Sequence, residues 1–175
     1  MDFTGGIPEI IHLTANSEKE KKALFKALSK AMRTSGFLSS SLSGMGGMGL
    51  TARHAYSITK FLELPLDGRH SVRLVRVRNP HGNEDEWRGE WSDKDRSWDR
   101  VSAKDKRDND IQAKNDGEFY MAFEDFIRYY GEVEVVHVKP ESMHGDVKEK
   151  WEVFGFNNKW EGQTAGGCGN DSIGC

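Results

Sequence analysis

Two runs, "HAYSITKFLEL" (54–64) and "HSVRLVRVRN" (70–79), flank the pentapeptide "PLDGR". Both are rich in β-branched and aromatic residues, which fit a pleated surface. The proline and the Asp-Gly pair between them mark a chain reversal. A chain carrying such a pair is committed to antiparallel sheet. A lone hairpin cannot bury a core, so further strands or a helix must cover it.

The rest of the chain supplies those partners. "PEIIHL" (8–13), "FLSSSLS" (37–43) and "EVEVVHVK" (132–139) read as strands. "DGEFYMAFEDFIRYYG" (116–131) reads as a short strand followed by one or two helical turns. The clearest helix spans about residues 17–35. Ser17 and Glu20 form a capping box, Leu24, Leu28 and Ala31 or Met32 recur at helical spacing, and Gly36 ends it. "GMGGMG" (44–49) is a loop, and 80–117 is the least regular stretch. The fold class is therefore α+β: an antiparallel sheet core with one main helix and short helices packed against it.

Composition narrows the function classes. The 175 residues are 36% hydrophobic and 30% charged, enough for one domain with a real core or a domain plus part of another. The net charge of −3 offers no global field for nucleic acid or an anionic membrane, and no apolar run is long enough to span a bilayer. "MDFTGGIPEI" lacks the basic and apolar regions of a secretory signal. Cys168 and Cys175 both fall in the last eight residues, unlike the cysteines of a disulfide scaffold. A reducing, cytoplasmic setting is expected.

His54 opens the first strand of the hairpin. With the turn centred between Leu66 and Asp67, opposed residues have numbers adding to 133, which sets His54 against Asn79 on one face. An amide oxygen that accepts from one imidazole N–H fixes the ring and its tautomer, leaving the other nitrogen for a nucleophile. A polar pair that merely satisfies itself explains the same spacing, and the strands alone leave both readings open.

Several motifs occurring in order change that balance. "RHAYSITKF" resembles the catalytic-histidine strand of the calpain family of calcium-dependent cysteine proteases, and "VRLVRVRNPHG" resembles its catalytic-asparagine strand. "DFTGG" (2–6), "EWRGEWSD" (86–93) and "NDGEFYMAFEDF" (115–126) are similar to further family motifs, so the resemblance covers residues 2 to about 139. It implies the His/Asn lobe of a papain-like core with a half-barrel sheet. In it His54 would be the general base and Asn79 its orienter, acting on protein substrates. The thiol nucleophile would come from an upstream lobe of the same chain, so these 175 residues alone would be inactive. Cys168 follows both His54 and Asn79, whereas the papain order is Cys, His, Asn, so it is not the expected nucleophile.

The same resemblance implies calcium as cofactor. The stretch 84–118 carries Glu84, Asp85, Glu86, Asp93, Asp95, Asp116 and Glu118, but no EF-hand pattern. By residue chemistry alone it is a solvated acidic surface. The family's site falls on Glu86, Asp93, Asp116 and Glu118, with the main-chain oxygen of Lys114 as a fifth donor. Calcium would then favour the closed arrangement of two lobes over an open one.

Residues 1–140 are expected to form the lobe, 141–150 a linker, and 151–175 the start of a C2-like β-sandwich. Two positions depart from the family pattern: Arg53 stands where glycine is usual, and His81 where the family's "NPWG" has tryptophan. The alternative is a non-catalytic, calcium-binding, calpain-like interaction module. Trp87, Trp91 and Trp98 could line a cleft, with packing favoured for at least two of them. Arg73, Arg76 and Arg78 read as strand-face charges rather than a basic patch. His12, His70, His137 and His144 have no metal-ligand spacing. The glycine loop before His54 is either a gate or a plain connection.

Overall fold

The computed structural model describes residues 6–34, 36–42, 44, 46–66, 70–82, 86–114 and 116–138. The linker and C2-like segment expected beyond 140, with both cysteines and His144, lie outside these residues. Among the described residues six strands form one antiparallel sheet: β1 (Ile7–His12), β2 (Phe37–Leu42), β3 (Ala55–Leu66), β4 (His70–Arg78), β5 (Glu118–Ala122) and β6 (Tyr130–His137). Their order is β1-β6-β2-β3-β4-β5. The helices are α1 (Glu18–Thr34), α2 (Ala103–Asp108) and α3 (Phe123–Tyr129). The α+β class expected from the sequence is the observed one.

Helix α1 begins as its capping box directs. Ser17 Oγ accepts from the Glu20 N–H, and Glu20 Oε2 accepts from the Ser17 N–H, both at 3.2 Å. The apolar stripe includes Phe25 besides Leu24, Leu28, Ala31 and Met32. The Phe25 ring meets Phe61 and Phe123 edge-on at 5.7 and 5.1 Å. Arg73, on the same face of β4, ties the starts of α1 and α3 together through Glu18 at 3.1 Å and Glu124 at 2.7 Å.

The sheet carries apolar residues on both faces. Ile58, Val75, Val77, Phe119, Met121, Val133 and Val135 join the core beneath α1 and α3. On the other face Leu64, Leu66, Leu74 and Tyr120 are covered by Trp91, Trp98 and Val101. The stretch expected to be irregular thus folds largely as a lid on the second face, while its Trp87 joins the α1 core. It contains a 3-10 turn at Arg96–Arg100 and helix α2, neither expected from the sequence. Asp95 caps the 3-10 turn, accepting from the N–H groups of Trp91 at 2.9 Å and Ser97 at 3.3 Å. The indole N–H of Trp98 donates to the Ser92 carbonyl, and that of Trp87 to the Glu90 carbonyl. Trp87, Trp91 and Trp98 are each buried, so packing is their observed role.

The hairpin register differs from the expectation. Pro65 lies inside β3, paired with Ser71, and the strands turn between Leu66 and His70. β2 flanks β3 only from Ala55 to Ile58, so among the described residues no strand on the other side of Pro65 misses its N–H. Opposed numbers therefore total 136, from Leu66↔His70 to Lys60↔Arg76. A bulge at Thr59 then resets them to 135, at Ile58↔Val77 and Ser57↔Arg78. Phe61 packs in the α1 core while its near neighbours Leu62 and Leu64 serve the other face, and beyond the bulge Tyr56 and Ile58 return to the α1 core.

Candidate active site

Extending the register past the strand ends puts Asn79 opposite Tyr56, not His54. His54 is two residues further along, on the same face, where side chains meet diagonally. Had the register of 136 continued, Asn79 would have faced Ser57, which points the other way. The bulge at Thr59 is what brings the two side chains onto one face. The expected direct opposition was wrong, and the pairing it sought is made diagonally: His54 Nε2 lies 2.8 Å from Asn79 Oδ1.

The direction of that bond follows from its surroundings. Asn79 is fully buried, and its Oδ1 also accepts from the His81 backbone N–H at 3.0 Å. An amide oxygen only accepts, so His54 Nε2 carries the hydrogen, which in the neutral ring leaves the lone pair on Nδ1. Tyr56 supports the ring edge-on at 5.0 Å and is itself held by the Thr51 N–H, which donates to its hydroxyl at 2.8 Å. Tyr56 was not singled out in the sequence, where it reads only as a strand aromatic.

The two departures have physical consequences here. Arg53 sits at φ 53°, in the left-handed region, where glycine has no steric penalty and a side chain costs about 1–2 kcal/mol. The His81 ring lies 4.4 Å from the His54 ring, tilted by 50°. It covers one flank of the pair but is itself exposed. The loop before His54 is docked rather than free. Met48 accepts from the Arg88 N–H at 2.8 Å, and a Cβ at Gly49, φ 86°, would fall 1.9 Å from the Glu86 carbonyl oxygen.

Three of the expected calcium ligands accept backbone hydrogen bonds from the 114–118 stretch. Glu86 Oε1 accepts from the Gly117 N–H at 2.8 Å, Asp93 Oδ2 from the Lys114 N–H at 2.7 Å, and Asp116 Oδ1 from the Glu118 N–H at 3.0 Å. Glu118 is paired with Arg76, whose guanidinium also lies 5.8 Å over the Tyr120 ring. Burial, helped by the neighbouring Glu86 and Asp116 carboxylates and opposed by the Lys114 hydrogen bond, lifts the Asp93 carboxyl to about 6. No three His, Cys, Asp or Glu side chains among the described residues converge as a metal cage. His137 has a structural partner: Glu9, at 2.7 Å, links it across β1 and β6.

Comparison with known proteins gives the class. Residues 1–137 match the family model for calpain family cysteine proteases. The chain is 38% identical to calpain-8 of Rattus norvegicus, over 97% of this chain and 24% of that protein. It is 35% identical to the calpain-2 catalytic subunit of Homo sapiens, again over 97% of this chain and 24% of the relative. It is 34% identical to calpain-A of Drosophila melanogaster, over 97% of this chain and 22% of the relative. The chain belongs to the calpain family of cysteine proteases. It spans about a quarter of the length of these curated relatives.

Proposed function

We propose that this chain supplies the general base and its orienting amide to a calcium-dependent cysteine endopeptidase whose thiol lies in an upstream lobe. The observation that carries the reading is the 2.8 Å His54–Asn79 contact with Asn79 Oδ1 committed as acceptor. His54 Nδ1 takes the proton of the incoming thiol, giving a thiolate–imidazolium pair. The thiolate attacks a substrate peptide carbonyl, and His54 Nδ1–H then protonates the leaving amine. Asn79 holds the ring through both transfers, and its own burial keeps water from competing for Oδ1.

Glu86, Asp93, Asp116 and Glu118, with the Lys114 main-chain oxygen, would hold the calcium ion. Their fit rests on hard oxygen donors and on crowding: Asp93 is raised to about 6 partly by the Glu86 and Asp116 charges, a repulsion that a divalent cation relieves. When bound, calcium would supply positive charge and tie the 86–93 and 114–118 segments to each other. Arg76 must release Glu118 for that carboxylate to take part.

The test extends the chain upstream through the neighbouring lobe and follows casein cleavage with calcium and with chelator. Calcium-dependent cleavage that His54→Ala abolishes is the expected result. No cleavage by a folded, calcium-bound protein would leave the interaction-module reading in its place.

A further inference from the structure

We propose that Glu86 is a positioning residue for the His54–Asn79 pair, acting through Gly117. Three contacts of 2.8 Å run in series. The Gly117 N–H donates to Glu86 Oε1, the Asn79 N–H donates to the Gly117 carbonyl, and Asn79 Oδ1 meets His54 Nε2. Gly117 is buried and adopts φ 81°, which a side chain would strain. A Cβ there would come within 3.0 Å of Gly82 Cα and 3.1 Å of the Asn79 carbonyl oxygen. Gly82 in turn donates its N–H to that same oxygen at 3.0 Å.

Gly117 is therefore wedged against the loop that carries Asn79, with one bond on each side. Its position along that loop is set by the carboxylate of Glu86, whose charge makes the bond to the N–H a strong one. Loss of the Glu86 acceptor frees the N-terminal side of Gly117. The Asn79 backbone then loses its fixed partner, and the amide that selects the His54 tautomer shifts with it. The consequence for catalysis rests on His54 being the general base; the positional claim does not.

Side-chain nitrogen NMR of the histidines in the 175-residue chain tests this, with the His54 signals assigned by their loss in His54→Ala. The wild type is expected to show His54 in the Nε2–H form. In Glu86→Ala that hydrogen should exchange with water about tenfold faster, and the Nδ1–H form should become populated. Glu86→Gln, whose amide oxygen can still accept from Gly117, should restore the wild-type signature. Gly117→Ala should reproduce Glu86→Ala. A wild-type His54 signature in folded Glu86→Ala overturns the proposal, as does failure of folded Glu86→Gln to restore it. If Glu86→Ala does not fold, Gly117→Ala decides alone, with a wild-type signature overturning the proposal. Failure of casein cleavage with these NMR results intact would overturn the protease reading and leave the positioning role standing.

Discussion

Replacing Asp93 by asparagine should stabilise the metal-free protein at neutral pH. The carboxyl is half-buried, next to Glu86 and Asp116, and its pKa is raised from 3.8 to about 6. A carboxyl that holds its proton more tightly when folded is a liability once ionised. Between these two values the folded state binds more protons than the unfolded one, so stability falls as pH rises through that window. At about 1.4 kcal/mol per pKa unit the full penalty would be about 3 kcal/mol, and the solvent access of Asp93 reduces it to about 1–2 kcal/mol. Asparagine keeps an oxygen for the Lys114 N–H, whose bond to Asp93 measures 2.7 Å. Urea unfolding in chelator should therefore find Asp93→Asn more stable by about 1–2 kcal/mol at pH 7, with the difference closing towards pH 4. A variant less stable than the wild type at pH 7 would refute the reasoning. It would mean that the Lys114 bond to a full charge outweighs burial and repulsion.

Four other outcomes are expected. Phe126→Ala, at a fully buried ring stacked 4.8 Å from Tyr130, should cost about 3–5 kcal/mol by denaturant unfolding. Ser17→Ala removes one half of the capping box and should cost about 1 kcal/mol. Arg53→Gly relieves a left-handed backbone and should raise stability by about 0.5–1 kcal/mol, the steric gain being offset by glycine's greater freedom when unfolded. His81→Trp in the upstream-extended protein should raise the rate of cleavage, because an indole covers more of the flank of the His54–Asn79 contact than the exposed imidazole 4.4 Å from His54 does. An unchanged rate would count against that role for His81.

The strands and the main helix were legible because their signals are local. Ser17 and Glu20 are three residues apart and cap each other, and the alternation of "EVEV" (132–135) lies within β6. The lid over the second face was not legible. Trp98 satisfies its indole N–H on a carbonyl of its own loop, a pattern with no sequence period. The His54–Asn79 pair was found by an arithmetic that misplaced the turn. A one-residue bulge leaves no mark that a count between strands can detect, and Thr59 is an ordinary strand residue by composition. Nor was the role of Gly117 legible. Its contacts with Glu86, Asn79 and Gly82 join three separate segments, which no short window of sequence contains.

The bulge also sets which changes of length the hairpin tolerates. β3 holds one residue more than its pairing with β4 requires, at Thr59. Deleting Thr59 leaves Ile58↔Val77 and Lys60↔Arg76 as successive pairs in a regular ladder, with His54 still two residues from the partner of Asn79. Deleting Ser57 instead would move His54 by one step and turn its ring to the opposite face. Along this strand, loss of a residue is neutral to the His–Asn geometry at the bulge and destructive two positions away.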